Sequence, residues 1–74
     1  MDIDIPVHMA NRIGEFFQAM PERAEALAGI ADHVKKYGDP RMRRALAAHL
    51  DQYQGNGLLP IVREALELHR ARRD

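Results

Sequence analysis

The chain has 74 residues, a formal net charge of zero and no cysteine. A chain this short forms at most a single small domain. Ordering it costs about 1.5 kcal/mol per residue, which apolar burial roughly cancels. The absence of cysteine excludes disulfides and thiolate metal sites, fits a reducing cytoplasm, and leaves a partner as the expected extra source of stability.

The charge is unevenly placed. Residues 1–40 hold seven acids and four bases, and residues 41–74 hold four acids and seven bases. A dipole this mild is not the footprint of a general nucleic-acid binder. No apolar run approaches the roughly 18 residues that span a membrane. The opening Met-Asp-Ile-Asp has no basic n-region, so no secretory signal is expected.

Proline and glycine punctuate the chain into four expected helices, an all-α bundle covering 1–74, with helices near 5–20, 21–37, 40–53 and 60–72. Asp4 is the expected cap of the first, with Pro6 in its first turn. Met9, Ile13, Phe16, Phe17 and Met20 recur at spacings of three and four and form its apolar stripe. Gly14 interrupts that stripe at a cost of about 1 kcal/mol against alanine, which points either to close approach of another backbone or to a site needing no side chain.

Pro21 opens the second helix. Leu27, Ile30, Ala31 and Val34 make its apolar face, with Ala24 and Ala28 alongside, and Gly38 is its stop. Lys35 and Lys36 in the last turn complement the helix dipole. The third helix starts at Pro40 behind Asp39, and its stripe is Met42, Ala45, Leu46, His49, Leu50 and Tyr53. Gly55-Asn56-Gly57 is a flexible link. Pro60 opens the fourth helix, with Ile61, Val62, Ala65, Leu66 and His69 along one side and a tail, Arg70 to Asp74, expected to fray. No run alternates over enough β-branched residues to make a strand.

The sequence Asp39-Pro40-Arg41-Met42-Arg43-Arg44 is the anomaly. Asp39 is a good N-cap and Pro40 suits the first helical position. Three arginines then occupy the turn where the dipole already places positive charge. Stability alone favours acids there, so an anionic surface outside the chain is expected to meet this turn. The plain alternative is that solvated arginines cost only about a few tenths of a kcal/mol each. Arg41 and Arg44, three residues apart, share one face and Arg43 points elsewhere.

Little else carries chemistry. His8, His33, His49 and His69 show no i, i+4 pair of the helical zinc type. There is no serine or threonine, which together with the lack of cysteine removes the common acyl-transfer nucleophiles. Glu22, Glu25, Glu64 and Glu67 read as solvated helix charges, with Arg63 and Glu67 spaced for an i, i+4 pair. Gly55-Asn56-Gly57 is too short for a phosphate loop. Helices two and three could form a helix-turn-helix, but the neutral net charge and the scarcity of base-reading side chains count against DNA binding. A stand-alone helical interaction module is the other alternative.

Three blocks resemble the delta subunit of bacterial NAD-dependent, molybdenum-containing formate dehydrogenase. The first is Val7-His8-Met9-Ala10-Asn11-Arg12-Ile13-Gly14-Glu15-Phe16-Phe17. The second is Ile30-Ala31-Asp32-His33-Val34 leading to Asp39-Pro40-Arg41-Met42-Arg43. The third is Gly57-Leu58-Leu59-Pro60-Ile61-Val62-Arg63-Glu64-Ala65. They fall in order over most of the chain. Two departures are visible: the family's tryptophan before Pro-Arg-Met is absent, and Leu59 stands where a polar cap is common.

The resemblance implies a non-catalytic accessory subunit in the cytoplasm. Its partner would be a large catalytic molybdopterin subunit, with diaphorase subunits reached indirectly and neither nucleic acid nor membrane bound. The complex would carry bis-molybdopterin guanine dinucleotide, iron–sulfur clusters, FMN and NAD, none held by this chain. Pro40, Arg41, Met42, Arg43, Arg44 and Tyr37 are the expected partner-binding residues. Ile13, Phe16 and Phe17 are expected in the core.

Overall fold

The computed structural model describes residues 2–71, without the side chains of His69 and Ala71. The expected placement of His69 and of the tail beyond Ala71 lies outside the described residues. Four α-helices follow one another: α1 (Asp4–Phe17), α2 (Arg23–Tyr37), α3 (Pro40–Tyr53) and α4 (Pro60–Ala71). No strand occurs among the described residues. Helix α2 packs most extensively, against both α4 and α1, which also touch each other. The radius of gyration of 11.1 Å matches the roughly 11 Å of a compact chain this long.

Helix α1 differs from expectation at both ends and in its facing. Asp4 is its first helical residue rather than its cap, and the Asp4 N–H donates to Asp2 Oδ1 at 3.0 Å. Asp2 thus satisfies a free N–H while Asp4 complements the dipole from inside the first turn. The helix stops at Phe17, and a turn closed by the Met20 N–H on the Phe17 carbonyl at 3.0 Å follows. Pro6, Ala10 and Gly14 are its buried residues, spaced four apart. Val7, Met9, Ile13 and Phe17 flank them, half-buried. Phe16, two residues from Gly14 and so on the far side of the helix, is 75% exposed rather than in the core.

Close approach causes this facing. A Cβ built on Gly14 would collide with Val62 Cγ2 of α4. The neighbour that needs the space is a side chain, not a backbone. Because α1 comes so near α4 at Gly14, its larger side chains are displaced to the flanks.

Helix α2 begins at Arg23, two residues later than expected, because Glu22 is extended (φ −95°, ψ 114°). Its buried residues are Ala26, Leu27, Ile30 and Val34. The small inward residue is Ala26, while Ala24 and Ala28 are exposed. Gly38 ends the helix in an extended conformation, its N–H on the Val34 carbonyl at 2.9 Å. A Cβ there would lie 2.7 Å from that carbonyl oxygen, so glycine is required for space.

Helix α3 starts as its sequence dictates. Asp39 Oδ1 accepts from the Met42 N–H at 2.9 Å, and Pro40 takes the first position. Leu46, His49 and Leu50 are buried, whereas Tyr53 is 63% exposed. The helix closes through Gln54 in the left-handed region (φ 56°), followed by Gly55 (φ 72°) and Gly57 (φ 90°). On α4, Ile61, Val62, Ala65 and Leu66 complete the core, as their spacing predicts.

Candidate functional site

The first and third sequence blocks meet. Asn11 reaches from α1 across the Gly55–Leu59 loop: its Nδ2 donates to the Gly57 carbonyl at 2.9 Å, and its Oδ1 accepts from the Leu59 N–H at 2.8 Å. Leu59 immediately precedes Pro60, so Asn11 supplies from another helix an acceptor that Leu59 itself lacks. His49 Nε2 bonds the Asn56 carbonyl at 2.6 Å and holds the same loop from α3. Together with Gly14 against Val62, these contacts give the two blocks an internal, structural use.

The arginine block finds no such use beyond the Asp39 cap. The described ion pairs lie elsewhere: Arg23 with Glu64 (2.6 Å), Arg70 with Asp51 (2.7 Å) and with Glu67 (3.4 Å), and Arg12 with Glu15 (3.9 Å). Glu67 pairs with Arg70 and not with Arg63, whose Nη1 donates instead to the Gln54 carbonyl at 3.5 Å. Among the described residues Lys35, Lys36, Arg41, Arg43 and Arg44 join no ion pair. The acid within that stretch, Asp39, is engaged in capping α3.

These cations divide around a groove. The cleft between the end of α2, the start of α3 and α4 has a volume of about 670 Å³. Val34, Leu46, Leu50 and Leu66 form its floor, and Ala47 its α3 wall. Lys35, Arg43 and Arg44 line one end with Pro40, and Arg70 the other. The Asp51 hydrogen bond holds the Arg70 guanidinium above its ordinary pKa, so that charge is already committed within the fold. Among the described residues, no carboxylate lines the groove. Arg43 Nε is buried without a hydrogen-bond partner.

The structure therefore joins Pro40, Arg43 and Arg44 with Lys35, and leaves Arg41, Met42 and Tyr37 outside the groove. Arg41 is exposed and Met42 half-buried. Arg43, expected to point away from Arg44, lines the same groove. Tyr37 is 70% exposed and ends a row of aromatic contacts. It stacks on His33 at 4.5 Å, His33 meets the edge of Phe17 at 5.8 Å, and Phe17 meets Phe16 at 5.1 Å. Lys35 was legible only as a dipole partner. The signal for more was the two-residue link Gly38-Asp39, which must bring the last turn of α2 beside the first turn of α3.

Among the described residues, no three His, Asp or Glu side chains are grouped so as to hold a metal ion. No described helix is long and apolar enough to cross a membrane.

Fold and surface define a small all-α protein with positive charge, unpaired among the described residues, gathered at one corner, where α2 turns into α3. A family model described as NADH-dependent formate dehydrogenase delta subunit FdsD matches residues 7–66, and the chain belongs to that family. Comparison with curated proteins and with solved structures gave no match.

Proposed function

We propose that the chain is a non-catalytic accessory subunit of a cytoplasmic, NAD-dependent, molybdenum-containing formate dehydrogenase. It docks on the large molybdopterin subunit through Tyr37 and the turn Pro40, Arg41, Met42, Arg43 and Arg44. Its role is to support assembly, cofactor retention or stability of that subunit. The pterin, iron–sulfur, flavin and nicotinamide groups reside on the other subunits, and diaphorase subunits are reached through the catalytic one.

One observation carries the docking surface. The blocks around Asn11 and Pro60 are used by each other inside the fold, whereas Arg41 and Arg44 of the middle block are exposed and, among the described residues, Arg41, Arg43 and Arg44 have no carboxylate partner. Family membership supplies the class of complex in which a partner for them is to be sought.

The test is recovery of the tagged chain from cells with active formate dehydrogenase, followed by identification of what accompanies it. Stoichiometric recovery of the catalytic subunit is expected, with loss in the Arg41→Glu/Arg44→Glu variant at unchanged helicity. Equal recovery by that variant refutes the docking surface. Absence of the catalytic subunit from the wild-type sample refutes the accessory role.

A further inference from the structure

We propose that the groove between α2, α3 and α4 seats an acidic amphipathic segment of the catalytic subunit. Its carboxylates would lie at the Lys35, Arg43 and Arg44 end, and its apolar side along Ala47 and Leu50. The identity of the partner rests on the accessory-subunit reading; the chemistry of the segment rests on the groove.

Charge is the first argument. Among the described residues, Lys35, Arg43 and Arg44 at one end join no ion pair and no acid lines the groove. Arg70 at the other end is neutralised by Asp51 and Glu67. The open positive potential is therefore polarised toward the α2–α3 corner. The N-terminus of α3 adds its partial positive charge there.

Shape is the second. Arg44 precedes Asp51, the Arg70 partner, by two turns of α3, so roughly 10 Å of groove separates the open charge from the committed charge. A single phosphate or carboxylate cannot span that length. A two-turn helix or a short extended segment can. Between the two ends the accessible apolar surface is Ala47 above a floor of buried leucines, and the Lys35 and arginine stems extend that surface. A small hydrophilic anion leaves it in water, whereas a segment with one apolar side covers it, as in helix-in-groove recognition.

The experiment uses the full tagged chain in cells expressing active formate dehydrogenase. A photo-crosslinking amino acid replaces Ala47 in one strain and Gln18, exposed at the end of α1 and outside the groove, in another. Parallel strains carry Lys35→Glu/Arg44→Glu, Ala47→Trp, which fills the groove without changing charge, and Lys36→Glu, a single charge reversal outside it. Circular dichroism checks each fold. The expected result is a crosslink from position 47 into a catalytic-subunit segment that is acidic and amphipathic, with none from position 18.

Recovery of the catalytic subunit should fall about tenfold in the double charge reversal, as expected when two exposed attractive pairs become repulsive, and within about twofold in Lys36→Glu. Suppose the wild type recovers the subunit, and the groove variants recover it equally or position 47 crosslinks to a neutral or basic segment. The groove proposal is then overturned and the accessory role stands. A wild type that recovers no catalytic subunit overturns the accessory role, and the groove assignment falls with it.

Discussion

Replacing Asn11 with alanine removes both hydrogen bonds that pin the α3–α4 loop to α1, at 2.9 and 2.8 Å. The two losses are unequal. Gly57 is exposed, so its carbonyl regains water and the net cost is about 0.5 kcal/mol. Leu59 is half-buried, and its N–H, left without an acceptor, costs about 1–2 kcal/mol. Alanine returns about 0.5 kcal/mol through its higher helix propensity in α1. The net destabilisation is about 1–2 kcal/mol, against a total stability of about 4–11 kcal/mol for a chain this long. That corresponds to a fall in Tm of roughly 10 °C. Urea and thermal unfolding followed at 222 nm measure it. An Asn11→Ala variant within about 0.3 kcal/mol of the wild type would show that the Leu59 N–H is satisfied without Asn11, and the pin would carry no weight. A cycle with His49→Ala should be non-additive, because His49 holds the same loop through Asn56.

Further outcomes follow from the same geometry. Gly14→Ala should destabilise by about 1–3 kcal/mol by overpacking against Val62, despite a propensity gain of about 1 kcal/mol, and Val62→Ala in the same chain should recover part of the loss. Gly57→Ala should cost about 1 kcal/mol in urea unfolding, since its φ of 90° is one that L-residues resist. Gln54→Gly should gain up to about 1 kcal/mol in the same assay by relieving the left-handed φ of 56°. Arg41→Glu should raise the stability of the isolated chain by about a few tenths of a kcal/mol, because an acid then meets the N-terminal dipole of α3, while recovery of the catalytic subunit falls. Opposite signs in those two measurements are the signature of a residue kept for a partner.

Much of the fold was legible because its punctuation is local. Asp39-Pro40 and Gly38 act through atoms within four residues of themselves, and α3 begins where they say. The α4 stripe was legible because its neighbours in sequence are also its neighbours in the core. Periodicity was weaker on α1 and α2. It groups residues on an arc but does not say which edge of the arc faces inward. Gly14 decided that on α1 through close approach to Val62, on α2 the small residue that faces inward is Ala26, and Phe16, Ala24 and Ala28 were misplaced. The Asn11 pin joins residues more than 45 positions apart, so nothing local announced it. In the candidate site the arginines stood out from sequence because they oppose the dipole. Their grouping with Lys35 and the pairing of Arg70 with Asp51 depend on how three helices meet, which spacing within any single helix does not encode.

The arginine turn is carried by the fold without being used by it. The Asp39 side chain contributes about 1 kcal/mol at the start of α3, and Leu46 and Leu50 anchor the following turns in the core. Three arginines at about a few tenths of a kcal/mol each are within what that cap offsets. A helix end so fixed holds its backbone still while Arg41 and Arg44 stay exposed, which lowers the ordering cost when a carboxylate-bearing surface arrives. The same short block thus supplies the cap that makes the turn rigid and the charges that make it unfavourable on its own. A helix end selected only for the stability of this chain would keep the first and discard the second.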